Sequence, residues 1–254
     1  MQKKNNLKER LKKKKELIGT WSVIPSSTIA EILGISGLDF VIIDQEHGPQ
    51  SLETSQDSIR ALENVNCTPL LRVSNNDPDK ILRALEIGAH GIVVPNIKNY
   101  NDAKKAISSI YYKPKGNRGV SAYTRSSNYS PLFSKSRKFT NENILSVLLL
   151  ESVESIEKID DILEIKGIDV LYFGTYDLSQ SLGILDDINN TKLLKEVSKI
   201  IKKILNKGIS AGVLIENISD KKMWKKLGFN FFLYKVDCGI FLELLTNDIK
   251  KIKK

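Results

Sequence analysis

Asp44, Glu46 and His47 follow an apolar run that begins at Phe40, and Gly48-Pro49 turns the chain directly after them. This is the pattern of a buried strand whose C-terminal end opens into a chemical loop. A histidine three residues from an aspartate can be oriented by it and can exchange a proton near neutral pH. Similar strand ends recur along the chain. Arg72 closes Pro69-Leu70-Leu71, Glu151 closes the run 144–150, and Asp177 follows Phe173 after a short turn. Two carboxylates at consecutive strand ends suit a hard divalent cation, which needs only one or two carboxylates when waters and substrate oxygens complete the shell. The competing reading gives each acid a lysine partner and makes His47 a solvated loop residue. The convergence of Arg72, His47 and two acids favours chemistry. Glu86 precedes Gly88 at a helix end, and spacing alone does not place it.

The elements that carry these residues alternate. Strands are expected at 19–23, 39–44, 68–73, 91–95, 144–150, 170–173, 209–214 and 229–233. Between them lie stretches with helical spacing, such as Thr191 to Asn206 with Leu194, Val197, Ile200, Ile201 and Ile204 on one face. Pro25-Ser26-Ser27 and Asn76-Asp77-Pro78 carry helix-start residues. A further helical stretch is expected at 155–163 and a last helix at 240–252. Eight strand–helix units predict parallel strands with right-handed crossovers, closed into a (β/α)8 TIM barrel as one domain over 1–254. An open doubly wound sheet is the alternative, and no Gly-x-Gly-x-x-Gly or phosphate loop follows any strand to support it. The polar stretch from Lys113 to Thr140 is the longest expected loop.

The chain has 254 residues, 41% of them apolar, which is ample for one such core. Its net charge of +9 sits at the ends: residues 3–15 hold eight Lys/Arg, and 250–254 hold four Lys. The remainder holds 27 basic and 29 acidic residues. A basic N-terminal helix at about 3–16, with Leu7 and Leu11 on one side, is expected to lie across the barrel bottom. No basic residues interleave with aromatics, so no nucleic-acid partner is expected. No apolar run approaches a membrane span, and no apolar leader follows Met1, so a cytoplasmic location is expected. Cys67 and Cys238 stand alone and read as packed thiols.

The sequence resembles the HpcH/HpaI class II pyruvate aldolases. The likeness rests on Gly19-Thr20-Trp21, the segment Leu38 to Pro49, Pro69 to Val73, Asn76-Asp77-Pro78, Gly88 to Pro95, Pro114 to Gly119, Leu150-Glu151-Ser152 and Phe173 to Ser179. It runs in family order over about 19–183. The resemblance implies a divalent metal (Mg2+ or Mn2+, with Co2+ as a third candidate) on Glu151 and Asp177. It implies that Arg72 holds the pyruvyl oxygens and that His47, oriented by Asp44, is the base, with Glu86 as an acid near that pair. Gly174, Thr175, Tyr176 and Leu214 would line the substrate. The implied reaction cleaves a 4-hydroxy-2-oxo acid into pyruvate and an aldehyde, or runs backwards. The implied assembly is a homo-oligomer, a hexamer of paired subunits that exchange their last helix. A related lyase on a sugar-derived 2-oxo acid, or an altered barrel with a binding role, is the alternative. The chain departs from the family at Leu149, where a glutamine is usual. Thr175-Tyr176 stand where Pro-Ala is usual, and Tyr234 to Asp237 replace a glycine-containing turn.

Overall fold

The computed structural model describes residues 6–130, 136–184 and 190–254. Eight parallel strands pair in sequence order and close on themselves: β1 (Leu17–Ser22), β2 (Phe40–Asp44), β3 (Thr68–Arg72), β4 (Gly91–Val94), β5 (Leu145–Leu150), β6 (Val170–Phe173), β7 (Ser210–Ile215) and β8 (Phe231–Val236). The expected (β/α)8 barrel is therefore the fold. The principal outer helices are α2 (Ser27–Ile35), α3 (Leu52–Asn64), α4 (Pro78–Glu86), α5 (Tyr100–Ile110), α10 (Thr191–Asn206) and α11 (Ile218–Lys226). Their starts follow local chemistry. Ser26, Ser51, Asp77, Asn99, Asn190 and Asn217 each accept a backbone N–H of the first turn, which satisfies donors the helix itself leaves free.

Alternation along each strand sorts the core into two layers. Outward residues such as Val41, Ile43, Leu71, Leu148 and Leu171 pack under the helices. Inward residues fill the barrel: Trp21, Phe40, Ile42, Leu70, Leu145, Val147, Leu149, Tyr172, Phe231 and Leu233. Phe40 and Phe231 stack at 4.2 Å between centroids. Gly19 makes that possible, because a Cβ there would stand 2.4 Å from the Phe40 ring.

The bottom is closed by α1 (Asn6–Lys12), shorter than the helix expected at 3–16, of which residues 1–5 lie outside the described chain. Leu7 and Leu11 enter the inner core, and burial of two leucines contributes about 3–6 kcal/mol. Lys8 pairs with Asp169 at 2.9 Å and Arg10 with Asp39 at 2.5 Å. These basic residues are structural. At the seam, Thr20 Oγ1 donates to the Tyr234 carbonyl at 2.7 Å.

Several boundaries differ from expectation. The stretch 155–163 is two short helices, α7 (Val153–Glu157) and α8 (Ile159–Ile162), broken at Lys158. The loop 113–140 contains a 3-10 turn at Arg125–Ser127 and leads into α6 (Ser136–Asn143), while 131–135 lie outside the described residues. Asn141 anchors its end by bonding both the N–H and the carbonyl of Tyr112. A helix the sequence did not suggest, α9 (Thr175–Ser181), follows β6 at once. The last helix, α12 (Asp237–Ile252), starts three residues earlier than expected, at a buried Asp237. That carboxylate accepts the Ser22 hydroxyl and the Val23 and Ile24 amides, clipping β1 to the end of β8. Cys67 is buried as expected, but Cys238 is exposed, because the first turn of α12 faces the barrel mouth.

Candidate active site

The inward rows do not stop with the apolar core. Phe40 and Ile42 are continued by Asp44, Leu70 by Arg72, Val147 and Leu149 by Glu151, and Tyr172 by Gly174. A period of two therefore delivers these residues to the C-terminal mouth, where barrel sites are built. They line a cavity of about 730 Å3 together with Trp21, His47, Thr175, Tyr176, Asp177 and Leu214. Every residue expected to act, except Glu86, lines it.

Asp44 and Arg72 are register partners on β2 and β3. Arg72 Nε donates to Asp44 Oδ1 at 2.8 Å, and Nη2 donates to Oδ2 at 2.5 Å. Asp44 is 1% exposed and Arg72 7%, so this is a buried bidentate pair. Trp21 lies under the guanidinium, 4.2 Å from ring centroid to Cζ. Glu46 Oε2 stands 3.0 Å from Arg72 Nη1, close enough for an ion pair but without hydrogen-bond alignment. Burial works against the Arg72 charge, and Asp44, Glu46 and Glu151 outweigh it, so the guanidinium is held above its ordinary value. Burial likewise pushes Glu46 up, against the pull of Arg72.

The role expected of Asp44 needs correction. Its oxygens are taken by Arg72 and by the backbone amides of Glu46 and His47, the latter at 3.3 Å. Asp44 shapes the His47 loop through the backbone and does not grip the ring. His47 itself is exposed on the cavity wall. Gly48 lets the loop pack, because a Cβ there would stand 2.5 Å from the Asp44 carbonyl oxygen.

Glu151 Oε2 accepts the Asn96 N–H at 2.8 Å. Asn96 presents that amide from a left-handed conformation, φ +57°, which asparagine tolerates. Burial pushes the Glu151 carboxyl up to about 7, the Asn96 amide opposes this, and Glu46 and Asp177 add to it. Asp177 is exposed in the first turn of α9. Neither acid makes an ion pair among the described residues. Gly174 is a cradle for Glu151: a Cβ there would fall 2.7 Å from its Cγ and 3.1 Å from its Oε1. The Thr175 hydroxyl, 2% exposed, has no hydrogen-bond partner among the described residues. No cluster of three or more His, Cys, Asp or Glu among the described residues is arranged to hold a metal. Two hard carboxylates with excess negative charge nonetheless fit a Mg2+- or Mn2+-type cation that keeps waters or substrate oxygens in its shell.

Glu86 is outside this mouth. It ends α4 and lines a separate depression with Arg83, Thr124, Arg125 and Tyr129. The reason is geometric: outer helices run back toward the bottom of a barrel, so their C-terminal ends lie away from the strand ends. Tyr176 does not plug the site. It is 43% exposed and its hydroxyl donates to Glu216 Oε1 at 2.9 Å. Glu216, Lys235 and Glu243 also line the cavity, and the sequence reading gave none of them a role. Glu216 is the next inward position after Leu214, so extending that row by two would have found it. At β8 the register shifts and brings Val236 opposite Trp21, so Lys235 reaches the cavity from an irregular position at φ +50°.

A closed parallel barrel with its polar residues at the C-terminal mouth has the architecture of a barrel enzyme, and the chain belongs to the HpcH/HpaI aldolase/citrate lyase family, whose family model matches residues 17–243. The chain is thus an enzyme of the aldolase type. It is 30% identical over 253 residues to a 5-keto-4-deoxy-D-glucarate aldolase of Enterobacter sp. (strain 638), with 97% of each chain covered. Among solved structures it is similar to the citrate synthase SbnG, at 29% identity and TM-score 0.89 with 97% of both chains covered. It is also similar to an HpcH/HpaI aldolase from Desulfitobacterium hafniense DCB-2, at 25% identity and TM-score 0.91, covering 98% of this chain and 96% of the other. No helix among the described residues is long and apolar enough to cross a membrane.

Proposed function

We propose that the chain cleaves a 4-hydroxy-2-oxo acid into pyruvate and an aldehyde, or runs the reverse addition, through the enolate of pyruvate. The observation that carries this reading is the pair Glu151 and Asp177, two carboxylates that form no ion pair among the described residues and share one cavity with Arg72 and His47. These two acids would hold a divalent cation, Mg2+ or Mn2+ before Co2+. Bound there, it supplies Lewis-acid stabilisation of enolate charge. The Arg72 fork adds positive charge fixed in place by Asp44, where negative charge grows on the keto oxygen. The Thr175 hydroxyl and the first amides of α9, which have no acceptor within the helix, suit the substrate carboxylate. His47 takes the proton of the C4 hydroxyl as the C3–C4 bond breaks. A sugar-derived 2-oxo acid is favoured by the name of the glucarate aldolase relative.

The test is exchange of the pyruvate methyl protons in D2O, followed by NMR with EDTA or with added Mn2+ or Mg2+. Cation-dependent exchange is expected, and no exchange with any cation sinks the enolate reading. His47→Ala is expected to lower kcat/KM for cleavage by about 100-fold and to leave cation binding intact. Unchanged turnover in that variant removes His47 from the mechanism.

The assembly we propose is a homo-oligomer of paired subunits that exchange α12, as in a hexamer built from such pairs. Its support is the apolar surface α12 leaves open: Phe241 65%, Leu242 66% and Leu244 62% exposed, with Ile32 and Ile35 of α2 also exposed. Light scattering on the purified chain should give a multiple of the 28.6 kDa subunit. A monomer at micromolar concentration would overturn this.

A further inference from the structure

The cavity has two poles. Glu151, Asp177, Arg72 and His47 occupy the inner one. The outer rim is built by Tyr176, Glu216, Lys235 and Glu243. Lys235 sits at φ +50°, a conformation that is strained for a non-glycine residue and that clusters at functional sites. Its Nζ is paired with the Glu243 carboxylate, and Glu216 adds a second negative charge beside it. Tyr176 donates to Glu216 Oε1. The rim thus offers two carboxylates, which only accept hydrogen bonds, against one ammonium, already neutralised, and one phenol. The cavity as a whole is lined by five carboxylates and two cationic side chains, and Arg72 is already matched by Asp44 and Glu46.

From this rim we infer the aldehyde half of the substrate: an uncharged hydroxyaldehyde, whose hydroxyls donate to Glu216 and Glu243 and accept from Lys235, and not an anionic semialdehyde. The inference rests on the enolate reading above. A glucarate-type substrate carries a second carboxylate at its far end, and that group would meet two carboxylates here, the rim's one ammonium among the described residues being already paired with Glu243. Like charges brought together in a partly desolvated site repel one another strongly, and such repulsion is a common basis of selectivity. An apolar aldehyde would leave the rim's polar groups desolvated without partners. In the addition, the enolate carbon bonds to the aldehyde carbon, the carbonyl π bond opens, and the new alkoxide takes a proton from His47.

The test uses the full chain with Mn2+ and pyruvate, against glycolaldehyde and glyceraldehyde, succinic and tartronic semialdehydes, and propanal. Pyruvate methyl exchange is measured in parallel without any aldehyde. The hydroxyaldehydes are expected to exceed both semialdehydes in kcat/KM by at least about tenfold. Glu216→Gln and Glu243→Gln, singly and together, are expected to raise the semialdehyde to hydroxyaldehyde ratio by about tenfold. Exchange without a preference for hydroxyaldehydes, or a semialdehyde preference that the glutamine variants leave unmoved, overturns the inference and spares the enolate reading. Absence of exchange overturns both.

Discussion

Arg72→Ala is expected to cost the barrel about 3–5 kcal/mol and to slow cation-dependent pyruvate exchange by about 10²–10³-fold. The stability loss comes from Asp44. With Arg72 gone, a carboxylate that is 1% exposed keeps only two backbone amides as donors. Glu46 loses its one cationic neighbour within 3.0 Å, and Trp21 loses the guanidinium on its face. The rate loss comes from removing a charge that is held in place before the substrate arrives. Arg72→Lys separates the two effects. It restores the charge but not the planar fork that meets both oxygens of Asp44, so it should recover stability more than activity. Urea unfolding and methyl exchange measure the two quantities on the same samples. An alanine variant within 1 kcal/mol of the parent would show that the pair is not the buried keystone described above.

Gly174→Ala should have the largest effect for the smallest change. The backbone there, φ −74° and ψ 83°, is open to alanine, so no strain is added to the chain. The added methyl would stand 2.7 Å from Glu151 Cγ and 3.1 Å from Oε1. Glu151 must swing away from its place beside the Asn96 amide and Asp177. Cation affinity is expected to fall by about 10–100-fold, the size seen when a ligand loses its supporting shell. Exchange at limiting cation should fall with it. The unfolding midpoint should barely move, since Gly174 lies at the mouth and not in the packed layers. Calorimetric titration with Mn2+ decides the matter, and undiminished affinity would remove Glu151 from the cation site.

The chain's own spacing made the barrel legible because each strand is an apolar run and each run ends at a residue of another kind. It could not make the pairing across strands legible. Asp44 lies three residues from His47 and 28 from Arg72, yet the register of β2 on β3 gives it to the arginine. Glu46 was visible as an acid and had no role until Arg72 was seen beside it. Glu86 could not be placed from spacing alone; within one barrel it ends α4, on the side away from the strand ends. The outer rim was missed because Glu216 stands one residue past the end of β7 and Lys235 sits at an irregularity of β8 that strict alternation does not foresee. The short α9 escaped notice because it starts one residue after Gly174, with no spacer to announce it.

The seam between β1 and β8 has a consequence for how the molecule is made. Thr20 and the Tyr234 carbonyl that it bonds are separated by 214 residues. Leu7 and Leu11 pack against Phe231 in the same inner cluster. These N-terminal residues therefore find partners that follow them by more than 200 positions, and contacts of such long range form slowly. The helix α1 carries Lys8, Arg10 and Lys12, where trypsin cuts a segment that is not docked. Its protection during synthesis or refolding is a clock for ring closure.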